Sequence, residues 1–260
     1  MLDYPHGPIP AAGADGEASS APPPETTARP APAPCPAWEI SIMSREIPMT
    51  SSQMGVARRI RESVEKLSSG DAEGALIPVC IALDATAGKT YPSLSSSGRF
   101  KAFIRENVAL NTTAGFGGCT IGGISLAFNH PKIKLDRHGC CPFEDILYQV
   151  RCSLLHEGEI PINITFGPEP RLGGSNPLQI PRSMIVGLIV AVVCAPANAG
   201  VNFDTGLQLN FGSSAVLLRW LRGRGKEAVN ELREAFAKER KKTKLRTRSK
   251  ADLSDGVSTL

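Results

Sequence analysis

Apolar positions recur every three or four residues through most of the chain beyond residue 50. Val56, Ile60, Val64 and Leu67 line one side of a segment whose other side carries Arg58, Arg59, Arg61, Glu62 and Lys66. That periodicity predicts an amphipathic helix, capped by Ser51 or Ser52 and broken at Gly70 and Asp71. Asp71 then caps a second, more buried helix through Leu76, Val79, Cys80, Ile81 and Leu83, ending around Gly88. Pro78, early in that run, marks a bend or a later start. A third helix is predicted over Gly98–Leu110, with Phe100, Phe103, Ile104 and Val108 inward. The glycine-dense stretch Gly115–Gly123 is expected to be irregular. Ile124, Leu126 and Phe128 alternate with small or polar residues, as do Ile133 and Leu135 after the Asn129-His130-Pro131 turn, which predicts a short hairpin.

Pro142 opens the next helix, with Phe143, Ile146, Leu147, Val150 and Leu154 inward and Gly158 as its stop. Ile160, Ile162, Ile164 and Phe166 alternate strictly, as a half-buried strand would. A Gly/Pro-rich loop follows, then a buried helix over Arg182–Ala195, then a strand or hairpin within Val201–Phe211. The last helix is interrupted by Gly223 and Gly225, resumes through Val229, Leu232 and Phe236, and ends in a basic tail. There is no internal repeat. The fold class is mainly α: a helical bundle with short β-hairpin or strand insertions and disordered N-terminal and C-terminal tails.

Composition sets the boundaries. Residues 1–45 are Pro/Ala-rich and too poor in large apolar side chains to order themselves. Residues 46–240 carry the helical domain, and 241–260 form a basic, disordered tail. Met43 stands where the composition changes, so Met1 and Met43 are both candidate starts of native translation. The seven cysteines are odd in number and several lie in apolar runs. That usage fits a reducing cytoplasm, and the N-terminus lacks a secretory pattern. The longest apolar run, Met184–Ala195, is too short to span a bilayer and ends at Pro196, so no membrane association is expected.

The formal charge of +4 matters less than its distribution. Arg219, Arg222, Arg224 and Lys226 precede a second basic cluster that includes Lys238 and Arg240. Lys241, Lys242, Lys244, Arg246 and Arg248 of that cluster are the candidate RNA-binding residues. Lysine and arginine contacts to phosphate give sequence-independent affinity that falls steeply with salt. A solvated, solubilising tail is an equal reading.

Two other side chains suit phosphate chemistry. Arg151 offers a guanidinium fork, and His156, five residues on, offers an imidazole that titrates near neutral pH. On an ideal helix they are ~140° apart around the axis and ~7.5 Å apart along it. They converge only if the arginine reaches round, the helix loosens near Gly158, or a second copy completes the site.

The spacing of Arg151 and His156 on a helix resembles the R-x4–6-H signature of the HEPN superfamily of helical bundles. The family usually has Asn, Asp or His after the arginine; Cys152 stands there in this chain. The resemblance implies metal-independent RNA cleavage at a homodimer interface in a toxin or anti-phage setting, with an antitoxin or other partner protein. His156 would act as general acid or base on the 2′-hydroxyl or leaving oxygen. Arg151 would stabilise charge on the phosphoryl oxygens. Glu157 and Asp145 are candidate orienting groups. The alternative is a catalytically inactive helical module that binds RNA or protein.

Other constellations are weaker. His138, Cys140, Cys141, Cys152 and His156 include an i, i+4 pair but no CxxC, which favours structural thiols over zinc. No metal or cofactor is therefore expected. Ala87-Gly88-Lys89-Thr90 is not a phosphate loop, because Leu83 occupies the position of the required first glycine. The Gly115–Gly123 glycines lack a strand–turn–helix context, and no local signature assembles a Cys-His protease.

Overall fold

The interior is organised around two helices with little polar surface. α2 (Ala72–Thr90) starts at Asp71, whose side chain accepts the Gly74 N–H at 2.7 Å. That bond holds the Asp71 carboxyl below its ordinary range. Pro78 is buried inside α2 and does not end it. α1 (Met54–Ser68), α3 (Ser96–Glu106), α5 (Phe143–His156) and α6 (Ser183–Cys194) all pack on α2. Burial on several sides offsets the ~3 kcal/mol cost of a proline in a helix interior. Every residue of α6 is buried. Such a helix, apolar all round, belongs in a core.

The structure is a computed structural model that describes residues 38–42, 54–159, 161, 163–167, 172, 177–203, 206–211 and 213–255. Seven α-helices and seven short strands occur among them, so the chain is mainly α with strand insertions, as its periodicity predicts. Ser51 and Ser52, the predicted caps of α1, lie outside the described residues.

α4 (Val108–Gly115) packs closely on α6, with Gly187 against the backbone and side chain of Asn111. Buried Asn198, in the short turn after α6, donates to Thr86 Oγ1 and to the Val192 carbonyl, each at 2.9 Å. It ties the end of α6 to α2. α7 (Gly225–Asp255) follows a turn at Gly223 and packs on α4 and α6.

Three small sheets flank the helices. β1 (Trp38–Ile42), β6 (Leu207–Phe211) and β7 (Ser214–Leu217) form an antiparallel sheet in the order β1-β6-β7. β2 (Ser125–Leu126) pairs antiparallel with β3 (Cys141–Pro142), and β4 (Ile164–Gly167) pairs parallel with β5 (Leu178–Pro181).

Trp38–Ile42, ahead of residue 46, is a strand paired with Leu207–Phe211, and α7 runs across residue 240 to Asp255. Two helices occupy the span assigned to one, with Asn107 between them (φ −102°, ψ 11°) and α4 running on to Gly115. The partner of Ser125–Leu126 is Cys141–Pro142 and not Ile133–Leu135. Ile160 and Ile162 of the alternating run lie outside the described residues; Ile164 and Phe166 are in β4 as expected.

Candidate functional site

α5 carries the arginine and the histidine. Glu144 and Asp145 in its first turn and His156 in its last suit the helix dipole. Its end is closed by Gly158 at φ +77°, where the Glu157 and Gly158 N–H groups both bond the Ser153 carbonyl, at 2.8 and 3.1 Å. A side chain would be strained at that backbone angle, which is why glycine serves as the stop.

Arg151 points into the protein. Its Nη2 donates to Asp84 Oδ2 of α2 at 2.9 Å, and its side chain is only 12% exposed. The guanidinium carbon lies 5.7 Å from the ring centroids of both Phe100 and Tyr148, which meet edge-on at 61°. The second oxygen of Asp84 takes the Arg99 Nε at 3.4 Å. One carboxylate thus bridges α3 and α5 to α2. Arg151 Nη1 also lies 4.0 Å from Cys152 Sγ, and Arg151 Nε is buried with no hydrogen-bond partner among the described residues. Burial pushes the nearby Cys80 thiol up to about 12 despite the opposing charge of Arg151. Burial and then the Cys152 thiol raise the Tyr148 phenol.

His156 is exposed, beside exposed Leu155. Within one chain, then, the guanidinium is spent on Asp84 and the imidazole faces solvent. The proposed orienting groups are engaged elsewhere: Asp145 pairs with Lys101 at 2.9 Å and Glu157 with Lys132 at 3.7 Å. Arg105 pairs with Glu144 at 2.8 Å. The α3–α5 seam is therefore a row of ion pairs that the sequence reading did not assemble. Asp84 was its missed member. The available signal was a carboxylate in the apolar middle of α2, which must find a cation to be buried.

The cysteines and histidines weighed as ligands are dispersed. Cys141 is buried, with its thiol pushed up to about 11 by burial and its Sγ directed at the Leu126 and Phe128 carbonyls at 3.7 and 3.8 Å. Asp136 Oδ1 accepts the His138 and Cys140 N–H groups, at 2.8 and 2.9 Å, and these bonds lower its carboxyl. Among the described residues no three His, Cys, Asp or Glu side chains come together as metal ligands. No described helix is long and apolar enough to cross a membrane.

All five candidate RNA-binding residues lie on α7, and the side chains of Lys241, Lys242 and Lys244 are exposed. Arg240 donates to the Gly117 carbonyl at 2.6 Å. Glu239, the acid nearly alone in this basic run, is buried. It accepts the Ser213 N–H at 2.9 Å and the Ser214 hydroxyl at 2.7 Å. The Ser213 N–H, then the two serine hydroxyls and Lys242, bring its carboxyl down to about 2. Glu239 therefore fastens the β6–β7 turn to α7 and does not neutralise the surface lysines, Lys242 at 3.6 Å excepted.

Two mycobacterial proteins resemble the chain: uncharacterized protein Rv1289 of Mycobacterium tuberculosis and uncharacterized protein Mb1320 of Mycobacterium bovis. Each is 23% identical over 171 residues, covering 61% of this chain and 78% of the relative. No solved structure matches it. Residues 55–250 match the model of the family described as Rv1289, from α1 through most of α7. The chain belongs to the Rv1289 family.

Proposed function

We propose that this protein is a non-catalytic helical module that binds single-stranded RNA through the basic second half of α7. The observation that carries this reading is the commitment of Arg151 to Asp84 at 2.9 Å, between Phe100 and Tyr148. A guanidinium paired and 12% exposed is a packing element and not a waiting phosphate ligand. Exposed cations are instead gathered on α7, at Lys241, Lys242 and Lys244. At ~100° per residue, positions 241, 244 and 248 fall within ~60° of one another, a stripe along one side of the helix. Phosphate contacts of this kind carry affinity without sequence preference.

The test is fluorescence anisotropy with a labelled RNA of about 20 nucleotides at rising salt. Five phosphate contacts give a slope of about −3.5, a loss of roughly a hundredfold between about 50 and 200 mM salt. Replacing Lys241, Lys242, Lys244, Arg246 and Arg248 together by glutamine abolishes that slope. An unchanged slope removes α7 as the RNA-binding surface.

A second reading is a HEPN-type, metal-independent ribonuclease acting as a toxin or defence effector. The exposure of His156 and its neighbour Leu155 favours it, since both are free to meet a second copy. It requires Arg151 to leave Asp84, or a partner's cation to take its place. Cleavage in EDTA by wild type that vanishes in His156→Ala, with folding intact, supports this reading. Equal behaviour of the two proteins removes it.

A further inference from the structure

The sheet ends at β7. Its inner edge pairs with β6, while among the described residues no backbone hydrogen bond leaves Ser214–Leu217 on the other side. Free edges of this kind are templates for another strand. Beside this edge lies a groove of about 540 Å³, between β7 and α7. Ala215 and Val216 line its strand side, and none of its lining residues lies on α5. On the helix side the exposed charges are sorted: Glu231 and Glu234 lie toward one end, Lys238 and Lys241 toward the other. Glu234, Lys238 and Lys241 have no ion-pair partner among the described residues, whereas Glu231 pairs with Arg224.

That order is self-complementary. If α7 meets a second α7 running the other way about a two-fold axis, Glu234 faces Lys238 and Glu231 faces Lys241. Both pairings share one centre, the level of Phe236. A two-fold strand pair sets one residue opposite its own copy, since facing residues project to the same side of the sheet; Ala215, next to Ser214, is such a residue. Ser214 is tied to Glu239, and the chain reverses between Leu217 and Gly225, so α7 runs back along β7. From Ser214 to Ala215 is ~3.4 Å. The same distance along a helix is two to three residues at ~1.5 Å each, which from Glu239 reaches Ala237 or Phe236. One two-fold axis therefore satisfies strand and helix together, which is what an isologous contact demands.

We propose that the β7–α7 groove is a homodimer interface. β7 of each copy pairs antiparallel with its mate, and Glu234 of each copy pairs with Lys238 of the other. This goes beyond the RNA reading: the two share Lys241, but the pair that defines the interface, Glu234 and Lys238, belongs to it alone, and Lys244, Arg246 and Arg248 take no part in it.

The test is a charge swap on the full chain, followed by sedimentation velocity at up to about 100 µM protein. Wild type forms a two-chain species. Glu234→Lys and Lys238→Glu each turn two attractive pairs into repulsive ones and raise the dimer dissociation constant about tenfold. The double variant restores opposite charges and returns it to within about threefold of wild type. Circular dichroism confirms that each variant is folded. A monomeric wild type, single variants that dimerise as wild type does, or a double variant that fails to recover overturns the proposal. Net charge is unchanged in the double variant, so its RNA affinity reads the RNA proposal separately.

Discussion

Replacing Asp84 by alanine leaves the Arg151 guanidinium between Phe100 and Tyr148 without its counter-charge. Asp84 is 20% exposed and Arg151 12%. Removing one partner of a buried pair costs about 3–5 kcal/mol. The residual exposure and the looser second contact to Arg99, at 3.4 Å, reduce this to about 2–3 kcal/mol. For a domain of this size the loss lowers the midpoint of thermal unfolding by roughly 4–12 °C. Urea unfolding followed by circular dichroism measures it directly. Adding Arg151→Met to Asp84→Ala removes the stranded charge, so the double variant is more stable than the sum of the single losses predicts, by about 1–3 kcal/mol. Asp84→Ala within about 0.5 kcal/mol of wild type, or strict additivity, would refute a structural role for Arg151.

Exposed His156 holds nothing in place, so His156→Ala changes the urea midpoint by no more than about 0.5 kcal/mol in stability; a large loss would mean that the imbalance between the two residues is misread. Gly187→Ala drives a methyl into Asn111 and destabilises by about 1–3 kcal/mol, again read from urea unfolding. Glu239 titrates in the folded protein at about 2, below the ordinary 4.5 of a free glutamate. Its contribution is thus complete above pH 4.5 and is lost as pH falls toward 2. Glu239→Gln is less stable than wild type near neutrality, and the gap narrows through that acid window; a gap independent of pH would show that the charge is not what matters.

Local patterning was enough for the helices that bury one face or all of their surface. Val56, Ile60 and Val64 specify α1, Phe143 to Leu154 specify α5, and the apolar run from Met184 specifies α6, because those patterns repeat at helical spacing. The break at Asn107 was not legible: no glycine or proline marks it, and α4 takes its direction from packing on α6. β5 hid inside a Gly/Pro-rich loop, and its parallel pairing with β4 is a tertiary choice. The site suffered most from distance along the chain. Arg151 and His156 were visible as neighbours, but what disposes of Arg151 is Asp84, 67 residues earlier. The role of Glu239 was likewise not legible, because the serines it binds are 25 and 26 residues before it. Trp38–Ile42 becomes a strand only because β6 is there to receive it.

The most direct measurement is a single incubation of the full chain with end-labelled single-stranded RNA in EDTA, read on one gel before and after denaturation. The prediction is a retarded complex at low salt that releases RNA of its original length. Shortened fragments ending in cyclic phosphate, made by wild type and lost in His156→Ala, would contradict it.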